Sequence, residues 1–167
     1  FAIISDDTFT GAYIEKGKLL ESMGKVNEAI DNYEVAINTT EPTAFIHKCI
    51  GRCHERLGNF DLALQFYLKC VQLEPTNEKG WESLIHFLIS QEKFTKARHY
   101  LERALENNSD SLELWKSSVE LFLRMGKKEG AIDASKKILD LGHYYPEVLI
   151  PLIDLYLEKK QWQEAYT

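Results

Sequence analysis

Four side chains with metal-ligating chemistry, His47, Cys49, Cys53 and His54, fall within eight residues of one another. Imidazole and thiolate are both zinc ligands, and four such groups make a closed tetrahedral site. The spacing works against that chemistry. On one helix Cys49 and Cys53 share a face, whereas His47 and His54 share a different one, in columns that hold Trp81 and Phe122 elsewhere in the chain. The expectation is therefore packing, with no metal. Catalysis has no better foothold: the chain contains no glycine-rich phosphate loop, no GxSxG turn and no HExxH helix, and its carboxylates are scattered. It reads as non-enzymatic and without a cofactor.

The elements that position these groups follow from a period. Alanine recurs at Ala29, Ala63, Ala97, Ala131 and Ala165, always 34 residues apart, in the matching contexts NEAIDNYEVAI, FDLALQFYLKCV, FTKARHYLERAL, EGAIDASKKIL and WQEAYT. A methyl group repeated on one helical face marks a close helix approach, so one supersecondary unit is repeated along the chain. The units run 10–43, 44–77, 78–111, 112–145 and, in part, 146–167, with 1–9 as a lead-in or the end of a preceding helix. Each carries two apolar stripes with 3-and-4 spacing, which predicts helix, short turn, helix. The first-helix inward columns are Tyr13, His47, Trp81, Trp115 and Leu149; Gly17, Gly51, Ile85, Val119 and Ile153; and Leu20, His54, Leu88, Phe122 and Tyr156. Gly24, Gly58 and Gly126 mark the turns, while Glu92 and Lys160 stand in the glycine column of the other copies and predict tighter or strained turns there. Trp162, like Phe60 and Phe94, is expected to open a second helix after Lys160. Pro151 inside a first helix predicts either a start at Pro151 or a bend in a helix begun at Pro146.

A 34-residue helix-turn-helix with an aromatic opening the first helix and small residues inside the second resembles the tetratricopeptide repeat. The resemblance covers residues 10–167 and is fullest in GWESLIHFL with KARHYLERAL, and in IGRCHERLGNFDLALQFYLKCVQLEP, where Gly51, Gly58, Ala63, Tyr67 and Pro75 follow the family pattern. His47 at the aromatic position, Ser135 in a second helix and Pro151 depart from it. The resemblance implies an all-α fold, a right-handed α-solenoid of antiparallel helix pairs. It also implies recognition of a protein or peptide partner on a concave face lined by the first helices.

On that face lie the columns that change type from copy to copy. They include Ile14, Lys48, Glu82, Lys116 and Ile150; Lys18, Arg52, His86, Glu120 and Asp154; and Glu21, Glu55, Ile89, Leu123 and Leu157. The expected groove is basic at Lys18, Lys48 and Arg52, with Arg56 and Lys79 nearby, and acidic at Glu120, Glu147 and Asp154. The alternative is a solvated face whose charges pair locally, as Lys116 and Glu120 would at i and i+4. Some family members hold a partner's terminal carboxylate with a Lys/Asn clamp. Here Lys48 is followed by Arg52, and Ser83, Glu113 and Ser117 occupy the remaining positions, so that clamp is absent. Charge reversal at Lys48 and Arg52 is expected to weaken an acidic partner without unfolding the domain.

Composition bounds the remaining classes. With 44% hydrophobic and 28% charged residues the chain should fold, and its net charge of −6 offers no basic stripe for nucleic acid. The strongest apolar run, 148–153, contains Pro151 and falls short of the ~18 residues of a membrane span. Three cysteines without a CxxC pair read as reduced thiols, which tilts an otherwise open choice of compartment towards the cytoplasm. Two further roles stay open: self-association through apolar solenoid ends, including Trp162, or service as a regulatory arm of a larger protein.

Overall fold

The computed structural model describes residues 6–39, 43–144 and 146–165, and the side chains of 9–38, 43–144, 146, 150, 152–158 and 160. Glu41, Pro42, Glu147, Leu149 and Trp162 of the sequence reading have side chains outside that set. All regular structure among the described residues is helical: α1 (Asp6–Ser22), α2 (Val26–Thr39), α3 (Ala44–Arg56), α4 (Phe60–Leu73), α5 (Glu78–Ser90), α6 (Phe94–Asn107), α7 (Leu112–Arg124), α8 (Lys128–Asp140) and α9 (Pro146–Ala165). The first helices of the second to fifth units begin where the alignment places them.

The chain forms two compact units that divide inside α5, one reaching Phe87 and the other starting at Leu88. In the first, α1 packs on α2, α3 on α4, and α2 on α3. Ala29 and Ala36 of α2 join Ile46, Ile50 and Cys53 of α3 in one core, all fully buried. In the second unit α7 packs on α8, α6 on α7 and α8 on α9. Ala63, Ala97 and Ala131 are also at zero exposure, as close helix approach requires.

The turns repeat at the level of single hydrogen bonds. After α1 the amides of Gly24 and Lys25 donate to the carbonyls of Glu21 and Leu20, and the same pair recurs after α3, α5 and α7. This double bond at a helix end needs a left-handed residue, supplied by Gly24, Gly58 and Gly126 at φ between 69° and 78°. Glu92 adopts it too, at φ 55°, so the strained turn expected there is present. Lys160 behaves otherwise. The helix begun at Pro146 runs through Pro151 and Lys160 to Ala165, so the expected break before Trp162 does not occur. Lysine carries a Cβ penalty in the left-handed conformation and has a high helix propensity, which favours continuation. The described residues after Lys160 continue α9 and do not turn back over Ile153 and Tyr156. These two members of the inward columns are 54% and 43% exposed, while Leu152 and Leu155, on the side that meets α8, are buried.

The tryptophans near the starts of α5 and α7 have a second function. The indole N–H of Trp81 donates to the Pro75 carbonyl and that of Trp115 to the Ser109 carbonyl, both at 2.7 Å, tying each helix to the connection before it. His47 replaces this link with an Nδ1 contact to the Thr43 carbonyl at 2.9 Å, on a helix that Thr43 also caps.

Candidate functional site

The four potential metal ligands do not converge. The rings of His47 and His54 pack against Phe66 of α4, with centroids 5.9 and 5.5 Å away. Cys49 instead lies 3.8 Å from the Arg52 guanidinium. Burial lowers the His54 pKa against the opposing influence of Glu34, and burial pushes Cys53 up to about 12 and Cys70 up to about 11. Neutral imidazole and protonated, buried thiols are packing groups.

The candidate basic residues of the first unit sort into two sets. Arg52 grips Glu21 with two parallel bonds, Nε to Oε1 and Nη2 to Oε2, each 2.7 Å. Arg56 donates to the backbone carbonyl of Glu21 at 3.0 Å, and Tyr33 donates its hydroxyl to the same carboxylate at 3.0 Å. Glu21 itself is buried. Burial pushes its pKa up, but the bonds and charge of Arg52, with Tyr33 and Arg56, outweigh that and leave it below the ordinary glutamate value. Arg52 and Arg56 thus staple α3 to the end of α1, and the expectation that Arg52 can be reversed without structural cost is corrected. An acid there would face a buried carboxylate.

Lys18 and Lys48 form the other set. Both ammonium groups stand over the ring of Phe45, at 5.0 and 5.5 Å from its centroid. Lys18 also pairs with Glu15 at 2.7 Å, an exposed contact within α1. Phe45 is 37% exposed and was absent from the candidate residues, because a column holding Gly11, Lys79 and Glu113 elsewhere gives no signal for an aromatic. Farther along, Lys79 pairs with Glu82 at 2.8 Å, His86 is exposed and Ile14 is half-buried against the first core.

In the second unit Lys116 pairs with Glu113 at 3.1 Å, and Glu120 is half-buried. Leu123 and Ile150 are exposed, as is Asp154. Ile89 is not on a surface: at 2% exposure it belongs to the core, a correction to its place in the groove. The reason lies in the repeat. Where the first two copies hold a glutamate bonded to a tyrosine twelve residues on, Glu21 with Tyr33 and Glu55 with Tyr67, the third has Ile89 and Leu101, both buried.

Antiparallel helix hairpins of constant period, closed by the same turn and joined through buried alanines, define a helical-repeat scaffold of the protein-interaction class. The chain belongs to the tetratricopeptide repeat family, whose models match residues 10–40, 44–77 and 88–146. It is 28% identical over 139 residues to the tetratricopeptide repeat-containing protein trd-1 of Caenorhabditis elegans, covering 83% of this chain and 18% of that one. It is likewise 28% identical over 102 residues to the Hsp70-Hsp90 organizing protein of Triticum aestivum, covering 60% and 17%. The chain therefore spans about a fifth of the length of these curated relatives. Among solved structures it resembles that of pilF from Pseudomonas aeruginosa, with a TM-score of 0.77 at 20% identity over 96% of this chain and 73% of that one. No helix among the described residues is long and apolar enough to cross a membrane.

Proposed function

We propose that this segment is a non-enzymatic scaffold that binds a peptide or partner helix along its first helices, with the contact centred on α1 and α3. The observation that carries this reading is the division of labour among the cations. Arg52 and Arg56 are held on a buried carboxylate, whereas Lys18 and the half-buried Lys48 stand over an exposed ring. A rigid array of helices presents such side chains preorganised, so the ordering cost of binding falls on the partner segment. The Hsp70-Hsp90 organizing protein among the relatives supports a role in bringing proteins together.

The test is site-specific photocrosslinking from first-helix and second-helix positions in a cell lysate. Adducts from Ile14, Lys48 and Glu82, with none from exposed second-helix positions such as Gln65, support the reading. Adducts confined to the second helices defeat it.

A second reading, self-association, is favoured by two sets of exposed apolar side chains: Phe9 and Leu19 on α1 with Met23 in the turn after it, and Ile150, Ile153 and Leu157 on α9. Sedimentation velocity across a range of concentrations tests it. A monomer at all of them removes it.

A further inference from the structure

We propose that Phe45, with Lys18 and Lys48, forms a docking point for an acidic peptide segment in which an apolar side chain is flanked by carboxylates. This rests on the peptide-binding reading above and names the partner chemistry of one part of that face. Phe45 stands in the first turn of α3, where burial gives it little reason to be aromatic: it is 37% exposed, and the same column holds Gly11, Lys79 and Glu113 in other copies. Its ring is approached by ammonium groups from two helices, Lys18 of α1 and Lys48 of α3. The two ammonium groups lie over the ring and cover part of it, and the part of Phe45 that stays exposed is the apolar surface offered to a partner.

The local charge balance selects the sign of the partner. Arg52 and Arg56 spend their charge on Glu21, and Lys18 is partly offset by Glu15, while Lys48 has no carboxylate within ion-pair distance among the described residues. The N-terminal end of α3, capped by Thr43, adds the positive end of a helix dipole beside the ring. An apolar side chain laid on Phe45 removes ring surface from water, and carboxylates on either side of it reach the two ammonium groups. Nucleic acid could also stack on an aromatic flanked by lysines. The chain's net charge of −6 disfavours it, and the experiment includes it as an outcome.

The probe is a fluorescein-labelled, C-terminally amidated peptide, Gly-Ser-Asp-Asp-Leu-Asp-Asp-Ser-Gly, titrated with the whole chain by fluorescence anisotropy. A second peptide carries Ser for Leu, a third carries Lys for each Asp, and a ten-nucleotide oligothymidine is the nucleic-acid arm. Binding to the first peptide is expected, with Lys48→Ala and Phe45→Ala each weakening it about fivefold or more. The Leu-to-Ser peptide should bind more weakly and be insensitive to Phe45→Ala, which is the signature of direct contact between the two groups. Phe45→Leu serves as the milder variant if Phe45→Ala fails to fold by circular dichroism, and Lys16→Ala, on another side of α1, should leave affinity unchanged. No binding of the first peptide up to about 1 mM, equal affinity for the lysine peptide, tighter binding of the oligonucleotide, or equal loss in both Leu and Ser peptides on Phe45→Ala overturns the proposal. Affinity lost on Ile14→Ser or Glu82→Lys but retained on Phe45→Ala overturns this assignment while leaving the wider peptide-binding reading standing.

Discussion

Replacing Glu21 by alanine should unfasten the first unit, and the structure sets the scale. Tyr33 is at zero exposure and donates its hydroxyl to Glu21, so truncation leaves that buried hydroxyl only the weak sulfur acceptor of Cys49, a loss of about 1–3 kcal/mol. The bidentate bond to Arg52 goes as well. A fully buried pair would cost 3–5 kcal/mol to break, but the Arg52 side chain is 47% exposed, and solvent screening reduces its share to about 1 kcal/mol. Glu21→Ala should therefore cost about 2–4 kcal/mol, and Glu21→Gln, which keeps an acceptor for Tyr33, roughly half as much. Because repeat arrays need not unfold in one step, amide hydrogen exchange in α1 to α3 is the appropriate assay, supported by urea unfolding. The loss should be local to these helices. A cycle with Arg52→Gln should show coupling of about 1 kcal/mol. The sign with pH follows from the depressed folded-state pKa of Glu21: its contribution is fully present above the ordinary glutamate value and is lost as acid protonates the folded carboxyl, from about pH 5 downwards. Glu21→Gln should flatten that decline. Exchange rates within 0.5 kcal/mol of wild type for Glu21→Ala, taken as a rough significance limit, or strict additivity with Arg52→Gln, would refute the staple.

Three further outcomes rest on other contacts. Gly17→Ala should destabilise by about 1–2 kcal/mol despite alanine's better helix propensity, because the new Cβ would stand 2.6 Å from a Tyr33 ring already tethered at its hydroxyl; thermal denaturation checks this. Gly51→Ala, with 3.0 Å to Tyr67, should cost less in the same measurement. Glu92→Gly should raise stability by about 1 kcal/mol in urea unfolding, since it relieves a left-handed residue at φ 55° in a turn that elsewhere uses glycine. Cys49, Cys53 and Cys70, all fully buried with raised pKa values, should resist a thiol-reactive chromogenic reagent in the native protein and react together in denaturant.

Much of this architecture was legible because the 34-residue period samples the same environment repeatedly. The starts at Ala44, Glu78, Leu112 and Pro146, the buried alanines and the glycine turns all follow from column identity. What a column conceals is substitution in pairs. Glu21 read as a groove residue because its column changes type, from Glu21 and Glu55 to Ile89, Leu123 and Leu157; of these Leu123 and Leu157 are exposed, yet Glu21 and Ile89 are buried. The missed signal was internal: tyrosine follows glutamate by twelve residues in two copies, and both become apolar in the third. The end of the chain failed differently. Lys160 occupies the glycine column, but a column position does not compel a turn, and α9 continues through it. Phe45 was hidden for a third reason, since an exposed aromatic in one copy has no repeat to announce it.

The indole links at the repeat connections give the molecule its own means of being watched. Trp81 lies in the first compact unit and Trp115 in the second, each with its N–H held by a carbonyl of the connection just before its helix. Loosening of either connection would change the indole's surroundings and shift its emission, the more so for Trp81, which is buried, than for the half-buried Trp115. Trp162, whose side chain is outside the described set, can be replaced by phenylalanine together with one of the other two. The two resulting single-tryptophan proteins would then report whether the units melt together or in succession, without a foreign label.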